Sequence, residues 1–155
     1  VHGQGKDKYD NVRIGLNSRL DTIQAAVLLN KLEIFDNEIE SRNNIADYYS
    51  EKLNDYVVIP FIDENNISSW AQYSILVNNE KERNGLIQYL NSKNIPTAIF
   101  YKKPFNKLDV YSNLNNNSFY ISDKLSKIIL SIPMHPYMKR NEQNLIIDSI
   151  IEYLR

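Results

Sequence analysis

The stretch "GLNSRLDTIQAAVLLNKL", Gly15 to Leu32, begins with glycine and polar residues and continues as an almost wholly apolar run. Ser18 followed three residues later by Asp21 has the spacing of a capping box, which predicts a helix starting at Arg19. From there Leu20, Ile23, Ala25, Ala26, Val27, Leu28, Leu29 and Leu32 cover nearly the whole helical wheel rather than one stripe. Such a helix is buried on most sides, and it needs a partner surface.

Chemically, a helix N-terminus offers unpaired N–H groups and a partial positive charge, a ready site for phosphate or carboxylate. Asn17, just before the cap, can donate its amide to an anion, and Arg19 stands in the first turn, where its charge opposes the dipole unless an anion is near. The plainer reading is that Asn17 closes a turn with Gly15 and that Arg19 pairs with Asp21 or another carboxylate. The residues alone leave both open.

Outward from this stretch the element type alternates. A second, amphipathic helix is expected over about Phe35 to Leu53, through Phe35, Ile39, Ala46, Tyr49 and Leu53. "DYVVIP" is a short β-branched run stopped by Pro60, and "WAQYSILV", Trp70 to Val77, alternates as a half-buried strand. "KERNGLIQYLNSKNI" reads as a helix on Leu86, Ile87 and Leu90, closed by Pro96, and "TAIFY", Thr97 to Tyr101, as the next strand. "NLNNNS", Asn113 to Ser118, is a polar loop. A short helix near Ile121 to Lys127, the strand "IILSIP" and a helix from Glu142 to Leu154, capped by Asn141 and burying Leu145, Ile146, Ile150 and Leu154, complete the chain. This is an α+β pattern, a small antiparallel sheet with helices.

Composition narrows the function. A chain of 155 residues, 43% hydrophobic and 24% charged, supports one ordinary core, and a net charge of -1 gives no footprint for nucleic acid or an anionic membrane. The doublets Lys102-Lys103 and Lys139-Arg140 read as solvated surface. No cysteine is present, which removes disulfides, thiolate metal sites and a cysteine nucleophile. His2 and His135 lie far apart without a carboxylate pattern, so no metal is expected. Nothing approaches the roughly 18 apolar residues of a membrane span. The start "VHGQGKDKYD" lacks Met and a signal core, and its two glycines miss the dinucleotide pattern. A soluble piece of a longer protein is expected.

Three separated stretches then agree on a family. "HGQGKDKYDNVRIGLNSRLDTIQAAVLLNKLEIF" resembles the segment following the catalytic-lysine region of the DegT/StrS aminotransferases, which act on nucleotide sugars with pyridoxal 5'-phosphate. "TAIFYKKPFNK" and "LSIPMHPYM" resemble that family's T-x-x-H-Y-x-x-P and L-S-L-P-x-H-P signatures, in the same order and spacing. The "NSRLD" form and its flanks resemble most the branch aminating 3-keto sugars, in particular UDP-2-acetamido-2-deoxy-3-oxo-hexuronic acid; a 4-keto sugar is the rival.

The resemblance implies a type I aminotransferase fold, a cytoplasmic homodimer and glutamate as amino donor, serving surface-polysaccharide synthesis, with no nucleic acid or membrane partner. Residues 1–34 would be a connecting loop and interface helix, and 35–155 the C-terminal small domain. The Schiff-base lysine would lie upstream, leaving no catalytic residue in this chain and the segment alone inactive. Asn17 would reach the cofactor phosphate of the other subunit. Arg19 would grip a sugar carboxylate or a phosphate, against a structural ion pair; Tyr101 would face the substrate, against filling the core as a strand residue. Phe100 stands where the family commonly has His, so a hydrogen bond to substrate there is lost or replaced, and Lys102-Lys103 replace an apolar-proline pair. Two readings compete: a non-catalytic relative kept for dimerisation or regulation, and a free-standing ligand-binding α+β domain.

Overall fold

Asp21 caps the first helix, which starts at Thr22 rather than Arg19; Ser18 lies outside the described residues. In the computed structural model, which describes residues 5–6, 12–14, 19–109 and 119–155, the Gln24 N–H donates to Asp21 Oδ1 at 2.8 Å and the Ala25 N–H to the Asp21 carbonyl at 2.9 Å. This is the bonding of an N-cap. Helix α1 then runs from Thr22 to Leu53, 32 residues without interruption. The two helices expected here are one, because neither glycine nor proline occurs between Thr22 and Leu53 and nothing in Glu33–Asp36 frees the backbone from the i→i−4 ladder.

The chain divides into two compact units, Val1–Asp36 and Asn37–Arg155. In the first, every α1 residue from Thr22 to Asp36 except Ala25 is exposed. In the second, Ile45, Ala46, Tyr49 and Leu53 turn inward from the same helix.

The second unit is built on an antiparallel pair, β1 (Tyr73–Leu76) and β2 (Ile129–Ile132), in the register Tyr73↔Ile132, Ser74↔Ser131, Ile75↔Leu130 and Leu76↔Ile129. An isolated bridge adds one more extended segment on each side: Val58 exchanges two 2.9 Å hydrogen bonds with Leu76, and Ala98 two with Ser131 at 2.8 and 3.1 Å. "DYVVIP" and "TAIFY" are thus single bridges rather than strands. Pro60 stops the first, and the second leaves the sheet in a turn at Phe100–Tyr101.

Helix α2 (Glu80–Ser92) is capped by Asn79, whose Oδ1 accepts from the Glu82 N–H at 2.9 Å. It ends before Pro96: Asn94 takes the left-handed conformation, φ 59°, while the N–H groups of Asn94 and Ile95 return to the carbonyls of Asn91 and Leu90. That is a Schellman closure with asparagine in the place of glycine. Helix α3 (Tyr120–Ile128) runs directly into β2, and α4 (Arg140–Leu154) follows. The α4 cap is Lys139, one turn-edge earlier than Asn141, with the Glu142 carboxylate accepting from the Lys139 N–H at 2.7 Å. Its buried side holds Ile146, Ile147 and Ile150; Leu145 is exposed.

The core lies where α1, α2 and α4 meet the sheet. Tyr49 and Tyr73 stand with ring centroids 5.1 Å apart, and Trp70 lies 5.4 Å from Tyr73. Each buried polar tip finds a partner. Tyr49 Oη approaches the Pro133 carbonyl at 3.1 Å, Tyr73 Oη meets Ser50 Oγ at 2.8 Å, and the Trp70 indole donates to Asn43 Oδ1 at 3.0 Å. Buried Gln143 donates to the Ile45 carbonyl at 3.2 Å, tying α4 to α1.

Candidate functional site

Tyr101 sits where the chain leaves the sheet. The paired hydrogen bonds between Ala98 and Ser131 hold the backbone extended, and two residues later a turn carries Phe100 and Tyr101 outward. Tyr101 is 74% exposed, so it does not fill the core as a strand residue would. The rings of Phe100 and Tyr101 meet edge to face at 5.6 Å. Pro104 then begins a 3-10 turn, Phe105–Lys107, whose Lys107 N–H donates to the Pro104 carbonyl at 2.9 Å.

This segment forms one wall of a cleft of 1400 Å³; the other wall is the face of α3 on which Ser122, Leu125 and Ser126 recur at helical spacing, continued by Ile129. The two walls are joined by one ion pair, and α3 is tied to α2 at its back. Lys107 Nζ lies 2.7 Å from Asp123 Oδ1. Behind α3, the buried Arg83 of α2 donates to the Ser126 carbonyl at 3.1 Å and to Asn84 Oδ1 at 2.8 Å, with Glu80 as a looser partner at 3.5 Å. A second, smaller cavity of 340 Å³ is lined by Gln72, Thr97, Ala98 and Pro133, and Phe100 borders both.

Arg19 belongs to the other unit, in the irregular residues before α1, and is exposed. Asp21, its candidate partner, spends its carboxylate on capping the helix, and no carboxylate lies within ion-pair reach of Arg19 among the described residues. A planar guanidinium in that state fits an anionic group, whether a phosphate or a sugar carboxylate. Asn17 lies outside the described residues, as do His2 and the polar loop Asn113 to Ser118. His135 is exposed and its carbonyl accepts from the Met138 N–H at 3.3 Å. Among the described residues no group of metal-ligating side chains converges, and no helix is long and apolar enough to cross a membrane.

Sequence reasoning singled out Tyr101 as a candidate and read Lys102-Lys103 as surface, but it missed the cleft that all three line. Phe105, Phe119 and Leu125 line it, and the signal was present in the amphipathic "FYISDKLSKII". The Lys107–Asp123 and Arg83–Ser126 contacts join residues 16 and 43 apart, which no periodicity reveals.

The sequence pattern of the DegT/DnrJ/EryC1/StrS aminotransferase family matches residues 1–151. Similar proteins include a UDP-2-acetamido-2-deoxy-3-oxo-D-glucuronate aminotransferase of Pseudomonas aeruginosa, 41% identical over 88% of this chain and 37% of its own. Another is a dTDP-3-amino-3,6-dideoxy-alpha-D-galactopyranose transaminase of Aneurinibacillus thermoaerophilus, 35% identical over 94% of this chain and 40% of its own. Among solved structures, a DegT DnrJ EryC1 StrS aminotransferase from Brucella abortus superposes with a TM-score of 0.90 at 46% identity, covering 99% of this chain and 41% of that one. The same fold recurs at 21% identity and a TM-score of 0.83 in a Bacillus subtilis protein solved with the cofactor PMP, over 96% of this chain and 36% of that one. The chain therefore spans about two fifths of the length of the relatives it matches. It belongs to the DegT/DnrJ/EryC1/StrS aminotransferase family, whose members depend on pyridoxal phosphate.

Proposed function

We propose that this chain is the C-terminal part of an enzyme that moves an amino group from glutamate to the ketone of a nucleotide sugar, UDP-2-acetamido-2-deoxy-3-oxo-hexuronic acid, for surface-polysaccharide synthesis. The observation that carries this reading is the 41% identity, over 88% of the chain, to a protein named for that substrate. The relative at 35% identity is also named for an amino group at sugar position 3.

Bound pyridoxal phosphate supplies the electron sink for the transfer, and the rest of the protein supplies its lysine. This chain contributes positioning. Arg19, exposed and without a carboxylate partner among the described residues, binds the sugar carboxylate through a guanidinium fork. Asn17 donates its amide to the cofactor phosphate of the other subunit. Tyr101 orients the substrate from the wall of the cleft. The exposed apolar face of α1 between Thr22 and Asp36 packs against the large domain and the second subunit of a homodimer. The enzyme works in the cytoplasm.

A neutral keto sugar is the competing reading, favoured by Phe100: an apolar ring, 37% exposed, stands beside Tyr101 where an imidazole would donate a hydrogen bond. Steady-state kinetics of the full-length protein on the 3-oxo hexuronic acid, its neutral 3-keto analogue and a 4-keto sugar separate these. A higher kcat/KM for the acid supports the proposal; a preference for either neutral sugar overturns it.

A further inference from the structure

Helix α3, the second wall of the cleft, has nine residues, all among the described ones, and of these Ile128 alone is buried. A helix so short is held by its surroundings, because the cost of nucleation exceeds what so few turns of propagation contribute. Apolar packing supplies little of that hold, since Tyr120, Ile121 and Leu125 are exposed. Polar contacts supply it at the C-terminal end, where the carbonyls of a last turn have no partner within their own helix. The Ser126 carbonyl accepts from Arg83 Nη1 at 3.1 Å, and the Ile128 carbonyl accepts from the Val77 N–H at 3.1 Å.

Arg83 is an unexpected residue for this place. It is 5% exposed, while its ion-pair partner Glu80 is half exposed and 3.5 Å away; Asn84 Oδ1 accepts from its Nε at 2.8 Å. A buried, loosely paired charge adds little net stability, and an apolar side chain of similar volume often serves as well. What the guanidinium adds is direction: it aims a charged donor at the negative end of the α3 dipole. Ser126 lines the cleft from the other side, and its Oγ donates to the Asp123 carbonyl at 3.0 Å. Asp123 in turn carries the Lys107 contact across the cleft, which Arg83 itself does not line.

We infer that Arg83 is a positioning residue for the amination: from behind α3, through the Ser126 carbonyl, it fixes how far the α3 wall stands from the Tyr101 turn and so how well the sugar substrate is held. The inference rests on the sugar-aminotransferase reading, and it gives Arg83 no contact with substrate or cofactor.

The test uses the full-length protein with Arg83→Met, which keeps the bulk of the stem and removes the donors, and Arg83→Lys, which keeps the charge and one centre of donation. Hydrogen exchange read by mass spectrometry should be about tenfold faster in peptides covering α3 of Arg83→Met, with α4 unchanged. The KM for the nucleotide sugar should rise about tenfold, while kcat and the glutamate KM stay within about twofold. Arg83→Lys should give an intermediate rise of about threefold in both readouts, and it carries the comparison if Arg83→Met does not fold. A merely structural role gives a different pattern, since fewer folded molecules lower kcat and leave both KM values unchanged. Unaltered α3 exchange, or an unaltered sugar KM, overturns the inference and leaves the amination standing. A parent protein that aminates no keto sugar overturns the amination reading instead, and the exchange comparison still decides whether Arg83 holds α3.

Discussion

Lys107 Nζ lies 2.7 Å from Asp123 Oδ1, joining the 3-10 turn to α3 across the cleft. That oxygen is buried and has no directed hydrogen-bond donor, so the contact is Coulombic rather than a well-aligned hydrogen bond. With the lysine half exposed, the pair should contribute modestly, about 1 kcal/mol. Asp123→Asn is expected to cost that much in urea unfolding, and the cost should shrink as salt is raised. A loss independent of salt would show that the pair is not what holds the walls.

The tyrosine pair of the core sets the alkaline limit of stability. Burial, followed by Tyr73 and Glu142, raises the Tyr49 hydroxyl far above its ordinary 10.0. Tyr73 is raised by burial and by Asp47, against the hydrogen bond from Ser50, whose effect is larger than that of Asp47 and opposite in sign. In the folded chain both phenols keep their protons above pH 10, where an unfolded chain loses them. The unfolded state then binds fewer protons, so their contribution is complete below about pH 10 and is lost as pH rises beyond it. Urea unfolding from pH 8 to 11 should show stability falling above pH 10. Tyr49→Phe should flatten that fall, while costing about 1 to 2 kcal/mol at neutral pH through the Pro133 carbonyl left without its donor.

Much of this was legible in the residues, for identifiable reasons. α2, α3 and the two strands follow from short, locally consistent patterns, whereas the ends of α2 at Asn79 and Asn94 emerged only from the structure. The error at Glu33–Asp36 came from reading a change in apolar periodicity as a chain break. The helix continues because its burial changes while its backbone does not: α1 is exposed before Asn37 and buried from Ile45. "TAIFY" has β-branched and aromatic residues enough for a strand, yet only Ala98 pairs, since the next residues turn away to line the cleft. On α4 Ile147 is buried and Leu145 exposed, a choice between two aliphatic neighbours that tertiary packing makes and periodicity does not. For the candidate site, Arg19 and Tyr101 could be singled out one by one from the motifs, whereas the α3 wall of the cleft is set by tertiary contact.

Asn43 offers a check on the core's polar edge. It accepts from the Trp70 indole at 3.0 Å and donates to the Ser68 carbonyl at 3.2 Å, while Arg42 donates to the Trp70 carbonyl at 2.8 Å. These contacts hold Trp70 at φ 45°, a left-handed conformation unusual for a bulky residue. Asn43→Ala should cost about 1 to 3 kcal/mol in denaturant unfolding, and more than Asn30→Ala on the exposed part of the same helix. Equal costs would show that the Trp70 contacts contribute nothing beyond helix propensity.

The exposed half of α1 predicts the behaviour of the 155-residue chain by itself. Ile23, Val27, Leu28, Leu29 and Leu32 are each at least half exposed, a contiguous apolar surface of the kind that marks association. By size-exclusion with light scattering the isolated chain should self-associate or aggregate, and an absorbance scan should show no covalently held pyridoxal phosphate. A monodisperse monomer would defeat the interface argument.

The central claim is that the full-length protein aminates a keto nucleotide sugar, with Arg19 reading the acid group. Arg19→Lys should raise KM for the hexuronic substrate about tenfold more than for its uncharged analogue, because an ammonium cannot reproduce the bidentate fork. The most direct measurement incubates the full-length protein with pyridoxal phosphate, glutamate and UDP-2-acetamido-2-deoxy-3-oxo-hexuronic acid, and follows the nucleotide sugar and the keto acid by mass spectrometry. The account predicts the 3-amino sugar and 2-oxoglutarate in equal amounts, dependent on both cofactor and donor; the absence of both products, with the protein folded and the cofactor bound, would contradict it.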